Sequence, residues 1–134
     1  MKKVLALINP ENGKCTKTLS LLFELHRQGW KVERFVLVLE NTYHAQKWVL
    51  SLSMPLSKEE VEKIKERYRK KVLSEWEALG GPKVDVVVEV NEAHKTVEKL
   101  DLSEVELLVL GCLESKSLCK LIETLDKPAL VIKN

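Results

Sequence analysis

The polar and glycine residues able to do chemistry fall in four short stretches. They are Asn9-Pro10-Glu11-Asn12-Gly13-Lys14, Glu40 to Thr42, Asn91, and Gly111-Cys112-Leu113-Glu114-Ser115-Lys116. A loop that ends in a helix start can present backbone N–H groups to an anion, with Lys14 or Lys116 adding positive charge. The same residue types also turn chains and cap helices with no ligand present. His26, His44 and His94 have no i, i+4 partner, so no metal site is expected. Cys112 stands beside a helix start, where a thiolate is favoured. Cysteine is also among the most buried residue types, and the expectation here is a small buried hydrophobe. No catalytic constellation emerges.

The elements that must carry these stretches alternate. Lys3-Val-Leu-Ala-Leu-Ile8 is a nearly continuous apolar run, the pattern of a strand covered on both faces. Leu19, Leu22, Phe23 and Leu25 recur at helical spacing up to Gly29, and Val32 to Glu40 reads as a second strand. Asn41 or Thr42 is expected to cap a short helix carrying Ala45, Trp48, Val49 and Leu52, interrupted at Met54-Pro55. Ser57-Lys-Glu-Glu60 is a capping box, with Leu56 and Val61 at staple spacing. It predicts a long helix whose apolar face runs through Ile64, Tyr68, Val72, Trp76 and Leu79 to Gly80-Gly81-Pro82. Val84 to Val90, Val105 to Leu110 and Pro128 to Ile132 read as three more strands. Helices at Ala93 to Leu100 and around Leu118 to Leu125 separate them. Alternation of this kind implies an open, doubly wound α/β fold, a parallel sheet with helices on both faces. In such sheets the ligand crevice lies at the carboxyl ends of the strands, where all four polar stretches fall.

Composition narrows the function classes. The 134 residues suit a single domain, 1–134, and the formal charge of +2 gives no field to hold a phosphate backbone, so nucleic acid is not an expected partner. No apolar run approaches the roughly 20 residues of a membrane span or forms a secretory signal, and a cytoplasmic location is expected. Cys15, Cys112 and Cys119 are an odd set without CxxC spacing, which argues against a disulfide framework. The charged stretch Lys58 to Lys71 has several opposite charges at i, i+4 and reads as a solvated helix face.

The opening Lys2-Lys-Val-Leu-Ala-Leu-Ile8, the alternation of five strands, and the tail Val105-Glu-Leu-Leu-Val-Leu-Gly111 with Lys127-Pro-Ala-Leu-Val-Ile132 resemble the universal stress protein family over nearly the whole chain. The resemblance implies a strand order of 3-2-1-4-5 and an adenine-nucleotide-binding type of domain. Two departures stand against the nucleotide. Binding members carry an Asp at the end of strand 1, followed by Gly, where this chain has Asn9 and Pro10. They also carry, after strand 4, Gly, two residues, Gly, nine residues, Gly and Ser or Thr. Here Gly111 fits the first position, Glu114 occupies the second, and Thr124 occupies the third only four residues before Pro128. A carboxylate would repel phosphate, so the resemblance points to the branch that binds no ATP and needs no cofactor.

The expected function is that of a non-enzymatic, dimeric stress-response protein acting through protein contacts or a small ligand. The alternative is an adenine-nucleotide binder, with slow hydrolysis, using the crevice at strands 1 and 4. A phosphorylation receiver domain shares the alternation but needs Asp where this chain has Asn9 and Asn91. In the implied order the last strand is an edge, and Leu130, Val131 and Ile132 are strong β-formers suited to pairing with a second copy.

Overall fold

A computed structural model describes residues 1–51 and 56–133, with 48–51 described by backbone alone. Five strands form one parallel sheet in the order β3-β2-β1-β4-β5. They are β1 (Lys3–Ile8), β2 (Lys31–Val38), β3 (Asp85–Glu89), β4 (Leu107–Gly111) and β5 (Ala129–Ile132). The helices between them are α1 (Thr16–Arg27), α2 (Glu40–Ser51), α3 (Lys58–Ala78), α4 (Ala93–Glu98) and α5 (Ser115–Thr124). Leu52, Met54 and Pro55 lie outside the described residues.

The central strand explains the layering. Successive side chains of a strand point to opposite faces, and in β1 Val4, Ala6 and Ile8 enter one core while Leu5 and Leu7 enter the other. The first core is closed by α1 and α3 through Leu19, Leu22, Val72 and Trp76. The second is closed by α4 and α5 through Ala93, Val97 and Leu121. With both faces covered, β1 must be apolar at every position from Val4 to Ile8, which is why it reads as a run rather than an alternation. The two edges differ: β3 exposes Asp85 and Glu89, whereas β5 exposes Ala129, Leu130 and Val131.

The long helix begins as its sequence dictates. Ser57 Oγ accepts the Glu60 N–H at 3.1 Å and donates to the Glu60 carboxylate at 3.2 Å. The ion pairs along it run at i, i+3, not i, i+4, as in Lys65–Glu62 and Arg69–Glu66. Lys71 departs from the solvated face altogether: its Nζ donates to the carbonyls of Pro10 and Gly13, each at 3.2 Å. Val72 and Trp76, in the C-terminal half, are the buried residues of α3.

Trp76 anchors this half. Its ring meets Phe35 edge-on at 5.0 Å and Phe23 at 6.2 Å, and its Nε1 donates to the Pro82 carbonyl at 2.7 Å. The chain doubles back against the indole so closely that a Cβ on Gly81 would lie 2.2 Å from ring atom Cε2. The ring is buried and hydrogen-bonded, so a side chain here would force a shift against it. Gly81→Ala is therefore expected to destabilise the protein by about 1–3 kcal/mol, the usual penalty of overpacking. Urea denaturation checks it, and an unchanged midpoint would mean that the turn relaxes freely.

Candidate functional site

The crevice at the carboxyl ends of the strands is built by side chains that bond one loop to the next. Asn9, buried at the end of β1, donates its N–H to the Gly111 carbonyl at 3.1 Å, and its Oδ1 accepts the Glu11 N–H at 2.9 Å. This starts a 3-10 turn over Pro10–Asn12, in which proline at the first position forfeits no needed donor. The turn sends the Glu11 carboxylate across to α2. There it accepts the N–H groups of Asn41 and Thr42, each at 2.8 Å, and the Thr42 hydroxyl at 2.6 Å.

The start of α2 thus corrects two expectations. Glu40 is the first residue of the helix, not the last of the strand. The cap comes from Glu11, 30 residues upstream, not from Asn41 or Thr42 themselves. A carboxylate offers two charged acceptors to orphan N–H groups at the positive end of a helix dipole, more than a local hydroxyl or amide can.

Glu40 is the hub of the crevice. It is only 5% exposed. One oxygen accepts the Ala93 N–H at 3.1 Å and the Ser117 hydroxyl at 2.5 Å, and the other accepts Asn9 Nδ2 at 3.4 Å. Its single side chain therefore joins β1, the start of α4 and the first turn of α5. Asn12 Nδ2 adds a bond to the Cys112 carbonyl at 2.7 Å, and Asn41 Nδ2 donates to Asn12 Oδ1 at 3.3 Å. Beside this hub lies a shallow hollow whose rim includes His44, Glu92, Lys116 and Lys120. Burial works to raise the Glu92 carboxyl, but the cations Lys95 and Lys120, with His94 and His44, outweigh it and hold the group below its ordinary range.

The remaining residues singled out by sequence divide. Gly111 is the last residue of β4, and a Cβ there would sit 2.4 Å from Thr18 Oγ1. Its bareness admits the buried Thr18 of α1. Glu114 and Ser115 are exposed at the start of α5, where the Glu114 side chain makes no cap. Asn91 Oδ1 accepts the adjacent Glu92 N–H at 2.8 Å and is not drawn into the Glu40 group. Gly13 and Lys14 contribute carbonyls, to Lys71 and towards Cys112 Sγ.

Sequence reasoning passed over Cys15. It is buried at the entry to α1, and its sulfur lies 3.3 Å from that of Cys112. Cys112 is indeed buried, as expected, but its backbone is left-handed, with φ at 60°. The one signal available was topological: strands 1 and 4 are neighbours, so the loops that follow them meet.

Replacing Glu40 by Ala orphans donors from three segments at once, and the expected loss of stability is roughly 2–4 kcal/mol. Glu40→Gln keeps one carbonyl oxygen and should lose less. Urea midpoints for the two variants give the order, and equal, unchanged midpoints would show that these bonds do not hold the crevice together.

No family model matches the chain. It is 25% identical over 134 residues to a protein named Universal stress protein from Aquifex aeolicus (strain VF5), a span of 98% of this chain and 99% of that protein. The likeness runs from end to end and leaves no element unaccounted for. Together with the parallel sheet in the order β3-β2-β1-β4-β5 and helices on both faces, it makes the chain similar over its length to that universal stress protein.

Proposed function

We propose that this protein is a cytoplasmic, non-enzymatic universal stress protein that works as a homodimer without ATP, through protein contacts or a small ligand. One observation carries the first half of that reading. Backbone donors at two of the crevice's helix starts, those of α2 and α4, are already taken by the protein's own carboxylates, Glu11 and Glu40. A phosphate group would have to displace them and then sit beside two negative charges.

The surroundings do not fit a triphosphate either. Between β4 and α5 stand only Cys112, Leu113 and Glu114, and the bare face of Gly111 is filled by Thr18. Thr124, where binding members have the third glycine, ends α5 and donates its hydroxyl to the Leu121 carbonyl at 3.1 Å. From there Leu125 to Pro128 lead directly into β5. Glu11 and Glu40 are engaged in holding helix starts, which speaks against either as a general base.

The edge strand supports the homodimer. Leu130 and Val131 are each 41% exposed. The Pro128 and Ile132 carbonyls accept from β4, so by the period of two the backbone groups of Ala129 and Val131 face away from the sheet. A second copy related by a two-fold axis can pair with them antiparallel and close the assembly.

Thermal melting with millimolar ATP and Mg²⁺ tests the first half, since ligand at a hundred times its dissociation constant would add about 2.7 kcal/mol of stability. The expected result is no shift, both for this chain and for Glu114→Gly, which removes one obstacle and leaves Glu11, Glu40 and the short turns. A saturable shift in either would replace this reading with an adenine-nucleotide binder. Light scattering tests the second half: the mass should be about twice the 15.4 kDa of one chain. Val131→Pro removes a donor from the free side of β5 and spares its bonds to β4, so it should shift the population to monomer. A monomeric parent protein, or a dimer indifferent to the proline, would take β5 out of the interface.

A further inference from the structure

We propose that Cys15 and Cys112 form a reversible dithiol–disulfide couple at the floor of the crevice, in which Cys112 reacts with a peroxide and Cys15 closes the disulfide. The inference stands apart from the question of nucleotide binding and dimerisation. It begins with the 3.3 Å contact between the two sulfurs, made by residues 97 positions apart in sequence. Each sulfur is carried by a fixed element, Cys15 by the start of α1 and Cys112 by the turn from β4 into α5. Closing the remaining gap to the roughly 2.0 Å of a disulfide needs only a small approach of two side chains.

The backbone at Cys112 is a second, independent observation. A φ of 60° is uncommon for any residue but glycine, because Cβ crowds the following carbonyl. Strain of this kind persists where the surrounding structure over-determines it, and it clusters at functional sites. At this position a glycine would relieve the strain and lose the sulfur.

Access and electrostatics differ between the two thiols and assign their roles. Cys112 borders an open groove together with Asn12, Leu113 and Ser115, so a small oxidant reaches it first. Both cysteines are packed in the core that contains Leu19 and Leu22, and Cys15 does not line that groove. The Cys15 thiol is the largest influence holding Cys112 below the ordinary thiol range. The Thr18 hydroxyl and the Lys71 ammonium add to it, against burial and Glu75. The same contact and burial push Cys15 up. The more acidic thiol is the nucleophile and the other resolves.

The chemistry balances with hydrogen peroxide as the oxidant. The Cys112 thiolate attacks one peroxide oxygen, the O–O bond breaks, and the departing hydroxide takes up the thiol proton as water, leaving a sulfenic acid. The Cys15 sulfur then attacks the Cys112 sulfur. The S–O bond breaks as the S–S bond forms, and the Cys15 proton leaves with the hydroxide as a second water. Two thiols lose two electrons, which peroxide accepts. A dithiol reductant reverses the step by exchange.

The test uses Cys119→Ser, which alters only an exposed thiol and excludes links through it. After treatment of the folded protein with hydrogen peroxide, both remaining titratable thiols should disappear. A non-reducing digest should yield one cross-linked species joining the Cys15 and Cys112 peptides, and dithiothreitol should restore both thiols. Adding Cys15→Ser should let dimedone trap a sulfenic acid on Cys112. With Cys112→Ser instead, Cys15 should oxidise at least roughly tenfold more slowly, as a buried thiol without the lowered pKa. The proposal is overturned if the Cys119→Ser protein keeps both thiols until it is unfolded in guanidinium, or if it goes to sulfonic acid without a cross-link. Dimedone on Cys15 in preference to Cys112 would overturn the assignment of roles. The first experiment decides the cross-link even if a substitution at a buried cysteine fails to fold.

Discussion

A carboxylate withdrawn from water must be surrounded by donors or it destabilises whatever contains it, and Glu40 meets that requirement by drawing in three separate segments. The Asn9 side chain, the first N–H of α4 and the Ser117 hydroxyl converge on its two oxygens. Because the donors come from β1, α4 and α5, the carboxylate fixes how the loops at the carboxyl ends of the sheet stand relative to one another. Glu11 repeats the arrangement at α2 with three more donors. The two residues occupy the N–H groups at the starts of α2 and α4 from within the protein.

Much of this architecture was legible in the sequence because it rests on periodicity and local chemistry. β1 is readable because both of its faces are buried, and α3 because Ser57 and Glu60 bond across one turn. The strand order was legible only through the likeness to a known family, and the sheet agrees with it. What escaped were contacts between residues far apart in the chain. Glu11 caps a helix 30 residues on, and Lys71, in a run that looks wholly solvated, reaches the loop after β1. Gly111 shows the limit from the other side. Its type was noticed and its place foreseen, yet the reason for it, Thr18, sits on a helix whose approach no local pattern reveals.

The thiols sharpen that lesson. Three cysteines without regular spacing argue against disulfides as structural staples, and the fold has two well-filled cores that need none. Contact between Cys15 and Cys112 arises because parallel neighbours end at the same side of a sheet, so the turns after β1 and β4 are brought together by topology alone. Lys71 and Thr18 approach the same point from α3 and α1. The floor of the crevice is thus a place where four elements meet, at the junction of buried core and open groove.

The two margins of the sheet are not equivalent, and the difference governs how far strand addition can proceed. β5 presents an uncharged run, whereas β3 presents Asp85 and Glu89 at its two ends. A molecule adhesive at both margins would recruit copies without limit and grow into a fibre. Here a strand laid along β3 would bring carboxylates against its neighbour, so that margin acts as a terminus and any association through β5 is finite. The acidic margin is, in this sense, a stop signal for polymerisation written into a five-residue edge strand, Asp85-Val-Val-Val-Glu89.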